Sequence, residues 1–150
     1  MKLSELLANK GKDVFTISPD ATAQEVLREL NSRKVGALMV VNKEGGVEGL
    51  ISERDLLRDL EACMECKDKK ATEIMTDKDH LIIAHPPDDV EYAMKAFTKN
   101  KIRHLPILDG EHLVGIISIG DVIHSMLDEV EFENKVLKDY VAGSYPVLTS

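Results

Sequence analysis

The stretch GLISERD, at 49–55, returns 66 residues later as GIISIGD, at 115–121. This duplication constrains the fold more than any other feature of the chain. Aligned on it, residues 14–57 run alongside residues 81–123, with a single residue skipped in the turn between EGG and DGEH. Pro19 falls on Pro86, VGAL at 35–38 falls on IRHL at 102–105, and Gly49, Ser52 and Asp55 fall on Gly115, Ser118 and Asp121. The chain of 150 residues is thus one unit written twice. Each half alone is too small to bury a good core, so the halves must pack against each other.

Each unit predicts the order β-α-β-β-α. A short extended entry, 14–17 or 81–83, ends in a turn with proline. Ala23, Val26, Leu27 and Leu30 then recur at i, i+3, i+4 and i+7, as do Val90, Ala93, Met94 and Phe97, which predicts an amphipathic helix in each unit. A buried strand follows (ALMVV or LPIL), then a turn with glycine, then a second strand ending at Ser52 or Ser118. A second helix starts there. The expected class is α/β (α+β), with residues 1–13 as a short N-terminal helix. Residues 61–79 read as a polar connector. Residues 128–142 read as an acidic helix stopped by Gly143 and Pro146.

Composition narrows the function. A net charge of -8 argues against nucleic acid and against an anionic membrane surface. It leaves room for a small anionic ligand, for which local donors matter more. The first residues are too short and too polar for a signal peptide, and no apolar run approaches a membrane span. The expected protein is soluble and cytoplasmic. Two cysteines fit a reducing compartment with no disulfide framework.

The repeated Ser-x-x-Asp has two readings. As a capping box it satisfies the N–H groups of a helix start and contributes about 1 kcal/mol. As a ligand site it uses the same geometry. A phosphate sits at the positive end of the helix, and a carboxylate one turn in accepts two hydrogen bonds from the vicinal hydroxyls of a ribose. Both halves keep Ser and Asp while the residues between them differ, which favours the second reading. In the first unit Arg54 is placed to reach a phosphate, or is a solvated surface arginine. In the second, Gly120 permits close backbone approach.

Taken with the proline turn, the EIMT entry and the RHLPILD strand, the paired G-h-h-S-x-x-D ends resemble the CBS (cystathionine-β-synthase-type) domain pair, or Bateman module. The resemblance covers about residues 7–127. SERD in the first unit with SIGD in the second is similar to stand-alone pair proteins with no attached enzyme. It implies two tandem motifs packed as one pseudo-symmetric module with short terminal helices: motif 1 over 7–62, a linker over 63–79, motif 2 over 80–128, and a C-terminal helix and tail over 129–150. It further implies a non-catalytic regulatory sensor and an adenosine ligand, AMP first, with ADP, ATP, NAD(H) or S-adenosylmethionine as the others. No cofactor is required. A homodimer and a regulated partner protein are expected.

The resemblance also implies roles for residues. Asp55 and Asp121 take the ribose. The strands VGAL, from Val35, and IRHL, from Ile102, are expected to form the other wall, where backbone near Gly36 and Ala37, and near Arg103 and His104, reads the adenine edge or approaches the sugar. One site is expected to hold Thr16, Ser18, Gly36, Ala37, Ser52 and Asp55, with His104 reaching across to a phosphate. The other is expected to hold Ile83, His85, Ile102, His104, Ser118 and Asp121, and Ala37 offers it no such partner. His104 stands where many such pairs have arginine, and it makes phosphate affinity pH-sensitive. Its other reading is a half-buried, hydrogen-bonded histidine.

Cys63 and Cys66 form CMEC after a helix, in a polar connector, and are expected to be free thiols. A zinc site using His80 or His85 needs further ligands. No Gly-rich phosphate loop or nucleophilic triad stands out, so no enzyme is expected. Two alternatives remain open. One is a structural dimerisation module in which Ser-x-x-Asp is only a cap. The other is a redox or zinc protein using the cysteines.

Overall fold

A computed structural model describes residues 1–11, 13–65 and 67–142. The first unit contains β1 (Thr16–Ile17), α2 (Ala23–Arg33), β2 (Ala37–Val41), β3 (Val47–Ser52) and α3 (Glu53–Ala62), preceded by α1 (Leu3–Lys10). After it come α4 (Ala71–Ile74) and β4 (Thr76–Asp77), then α5 (Val90–Asn100), β5 (His104–Asp109), β6 (His112–Ser118) and α6 (Ile119–Val141). Strands β1-β2-β3-β4 make one sheet and β5-β6 the other. The entry of unit two is a single parallel bridge, Ala84 to Ile107, rather than a strand over 81–83. It sits where Ile17 pairs Val40 in unit one, so the two units keep one topology.

The helix starts follow their sequence signals. Thr22 accepts from Glu25 N–H at 3.2 Å, and Asp89 from Tyr92 N–H at 3.0 Å. Both helices end on a lysine in the left-handed region, Lys34 (φ 56°) and Lys101 (φ 53°). For a non-glycine residue that conformation costs about 1–2 kcal/mol, yet both units keep it.

Apolar burial divides into three clusters. One is unit one: Val26, Leu30, Leu38, Val40 and Ile51 among others. A second is unit two: Phe97, Leu105, Ile107, Ile117 and Val122, joined by Leu3, Leu6 and Leu7 of α1. The third lies between the sheets, where Ala37, Met39 and Leu50 pack with Leu81, Leu113 and Ile116. The halves thus bury each other's sheet faces.

The helices that precede each unit are exchanged. α1 comes before unit one but docks on unit two, with Leu3 N–H bonded to Asp88 O and Ser4 N–H to Pro86 O. α4 comes before unit two but docks on unit one, with Ala71 N–H bonded to Ala21 O and Thr72 N–H to Pro19 O. This exchange accounts for the repeated glycine. A Cβ on Gly49 would collide with the Thr76 carbonyl and the Met75 thioether, and one on Gly115 would lie 2.7 Å from a methyl of Leu7.

Further sequence expectations change, beginning with the polar connector over 61–79, which holds α4 and β4. The helix read as separate over 128–142 is continuous with the second helix of unit two, giving the 23-residue α6; its proposed stop at Gly143 and Pro146 lies outside the described residues. Cys63 is disulfide-bonded rather than a free thiol, and Cys66 lies outside the described residues.

Candidate functional site

Both Ser-x-x-Asp sequences form capping boxes. Ser52 N–H donates to Asp55 Oδ2 at 2.9 Å, and Asp55 N–H donates to Ser52 Oγ at 3.3 Å. Ser118 and Asp121 repeat this at 2.8 and 3.1 Å. The first helical N–H of α3 bonds to Gly36 O, and that of α6 to Arg103 O. Among the described residues, the N–H of the second helical residue, Arg54 or Gly120, is the one of the first three left without an acceptor. The helix starts are less open to a phosphate than the sequence suggested, since the fold itself uses two N–H groups of three.

Two clefts lie between the units. Cleft A, about 450 Å³, joins Ser118 and Asp121 of unit two to Phe15, Val35, Gly36 and Ala37 of unit one. Cleft B, about 480 Å³, joins Ser52, Arg54 and Asp55 of unit one to Ile82, Ile102 and Arg103 of unit two. The structure groups the expected residues across the units, where the sequence grouped them within one. Each acid faces the wall strand of the other unit, so Ala37 goes with Asp121 and Ile102 with Asp55. Gly36 and His104 line both clefts.

Five expected residues line neither cleft: Thr16, Ser18, Ile83, His85 and Gly120. Ser18 Oγ accepts from Asp20 N–H in the proline turn. His85 Nδ1 lies 3.0 Å from the Leu108 carbonyl. The positions that do line the clefts are Phe15 and Ile82, one residue earlier than Thr16 and Ile83. Successive side chains in extended chain point to opposite faces, so a slip of one residue reverses which is presented. The left-handed lysines were also missed: Lys34 lines cleft A and Lys101 lines cleft B. Strained backbone of this kind concentrates at functional sites, but no local sequence signal marks it. Lys10 and Asp13 of cleft A, and Glu53, Arg58 and His80 of cleft B, were missed because they converge only through tertiary packing.

The electrostatics of the clefts follow from their neighbours. Burial pushes the His104 imidazolium pKa below the usual histidine value. Lys10 and Arg103 push it the same way against Glu53 and Asp121. Its environment therefore holds His104 toward the neutral form. Burial alone would raise Asp121, but hydrogen bonds from Lys10 and from the Ser118 N–H outweigh it and hold the carboxyl below the usual range. Asp55, at 9% exposed, is the one buried polar side chain among the described residues. It receives Ser52 Oγ–H at 3.0 Å and has Arg58 at 4.0 Å. Arg54 is not free for a phosphate in this state, because it donates to the Lys101 carbonyl at 3.1 Å. His80 pairs with Asp77 at 2.6 Å, which raises the His80 pKa. Among the described residues, no three His, Cys, Asp or Glu side chains come together as metal ligands.

Two α/β units of one topology pack about two shared clefts, with an acid at each. The chain belongs to the CBS-domain family: the model for the CBS domain matches it twice, at residues 6–62 and 71–128. It is 32% identical to the CBS domain-containing protein CBSX3, mitochondrial, of Arabidopsis thaliana, over 95% of this chain and 73% of that protein. Its fold superposes on the CBS-domain protein ATU1752 of Agrobacterium tumefaciens with a TM-score of 0.80 and 30% identity, covering 84% and 99% of the two chains. It also superposes on PAE2072 of Pyrobaculum aerophilum, solved complexed with AMP. The TM-score is 0.71 at 28% identity, covering 81% and 89%.

Proposed function

We propose that the chain is a non-catalytic sensor. It binds an adenosine nucleotide, AMP first, between its two units and relays occupancy to a partner protein. The observation that carries this reading is the crossed construction of the clefts. An acid able to take a ribose diol stands on one unit and faces a backbone wall on the other, so a ligand touches both units at once. A ligand that bridges two bodies has different contacts in each of their relative orientations, and that difference shifts the population between them. The AMP complex of PAE2072 supports the ligand class.

The clefts suit an adenosine ligand chemically. Phe15 and Ile82 offer apolar surface at the rim beside a purine, while Ser and Asp face the sugar side. In cleft B a phosphate beside His104 works against the burial and favours the imidazolium, as an added negative charge does. A homodimer is supported by the exposed apolar side chains of the helices, among them Leu57 at 68% and Leu127 at 55%. No helix among the described residues is long and apolar enough to cross a membrane, and the reading places the protein in the cytoplasm.

A second reading keeps support from the fully formed capping boxes: a structural module whose Ser-x-x-Asp pairs only start helices. Thermal-shift titration with AMP, ADP, ATP, NADH and S-adenosylmethionine separates the two. A ligand at one hundred times its Kd stabilises the folded state by about 2.7 kcal/mol. A shift with one of these ligands that Asp55→Ala abolishes supports the sensor. No shift with any of them favours the structural module.

A further inference from the structure

The clefts are built alike, but their acids are not equally available. Lys10 Nζ lies 2.7 Å from Asp121 Oδ2 and also donates to the Ile116 carbonyl. The same Oδ2 takes the Ser118 N–H. Lys10 stands in the last turn of α1, whose Leu3, Leu6 and Leu7 are buried in unit two, so the ammonium is delivered by an anchored helix. In cleft B the matching Oδ2 of Asp55 takes the Ser52 N–H and the Ser52 hydroxyl, which can rotate away. The nearest cation there, Arg58, is 72% exposed and 4.0 Å off. Lys78 is the register counterpart of Lys10, just as Lys70 is of Lys2. It bonds through its backbone to Glu48 O and does not line cleft B.

We propose that Lys10 closes cleft A to a ribose, so that the chain takes one nucleotide per copy, in cleft B. This rests on the nucleotide reading above. A diol seeking Asp121 must first displace an ammonium already bonded to the carboxylate and to a backbone carbonyl, and must leave that charge poorly paired. A diol seeking Asp55 displaces only a hydroxyl. The charges lining the clefts point the same way among the described residues. Arg54, Arg58, Lys101 and Arg103 outnumber Glu53 and Asp55 in cleft B, whereas Lys10 and Lys34 only balance Asp13 and Asp121 in cleft A. Cleft B is thus the one suited to a nucleotide with a charged phosphate.

Calorimetric titration of the full chain with AMP tests this. The wild type should bind one AMP per chain, and Lys10→Met should bind two. Lys10→Gln, which keeps length without charge, should do the same. Adding Asp121→Asn to Lys10→Met should remove the gained event, and Asp55→Asn in the wild type should remove the original one. Two AMP per wild-type chain, or one in both Lys10 variants, overturns the role of Lys10 and leaves the sensor reading standing. No heat from AMP in the wild type and in both variants overturns the two together.

Discussion

Clefts A and B share one construction, and they differ in what the neighbouring helix adds. In both, a serine caps a helix, an acid reaches back, and a left-handed lysine marks the end of the wall. In cleft A the N-terminal helix also brings Lys10 into the acid; in cleft B the corresponding connector brings His80, bonded to Asp77, to the rim. Duplication gives two sites of one geometry. Segments outside the repeat then make them unequal, because each helix docks on the far unit and carries its own side chains there.

The docking itself offers the largest effect by which to break this comparison. Leu7 is 1% exposed, and in α1 it takes the place that Met75 takes after α4. Leu7→Ala should cost about 2–5 kcal/mol in chemical denaturation. A cost under about 1 kcal/mol would mean that α1 is not part of the unit-two core. The two glycines should then respond differently. Gly49→Ala meets a backbone carbonyl, which cannot move aside, and should cost about 1–3 kcal/mol. Gly115→Ala meets only the end of the Leu7 side chain and should cost less. Equal costs would show that the two crossings are packed alike.

The pH response gives a smaller test. The pKa of His104 is lower in the folded chain than in the unfolded one. The stability it contributes is therefore fully present above the unfolded value of about 6.5, and is lost as pH falls through the folded value. Melting temperature should drop as pH falls below about 6.5, and His104→Gln should flatten the slope. An unchanged slope would place the titration elsewhere. The raised pKa of the exposed His80 acts with the opposite sign, present below the unfolded value and lost as pH rises. Smallest of all, Lys10→Met should cost no more than about 1 kcal/mol in stability, as expected for a partly exposed ion pair. A larger loss would make Lys10 a structural strut rather than a guard.

Much of this was legible in the sequence. The repeat, the order of the helices and the pairing of the long strands follow from local pattern and the structure keeps them, while Leu27 of the expected apolar face is 45% exposed and no strand forms over 81–83. Ser52, Asp55, Ser118 and Asp121 stand where their spacing put them, at helix starts facing clefts. What the sequence hid was partnership across distance. Nothing local says that α1 docks on unit two, so Lys10 could not be placed beside Asp121, nor Ile102 beside Asp55. The sequence points to Thr16 and Ile83 where the clefts take Phe15 and Ile82, because a strand of two residues, or a single bridge, gives too little alternation to fix which face is inward. The 23-residue α6 read as two helices because its apolar positions change character once it leaves the body, where Val130, Leu137 and Tyr140 are all more than half exposed.

On the proposed reading the chain holds an adenosine nucleotide across its two units at Asp55. A crystal structure of the chain grown with AMP tests it most directly. AMP should lie in cleft B, its ribose hydroxyls on Asp55 and its phosphate toward His104, with Lys10 still bonded to Asp121 and no AMP in cleft A. AMP seated on Asp121 with Lys10 displaced, or no AMP in either cleft at millimolar concentration, would contradict it.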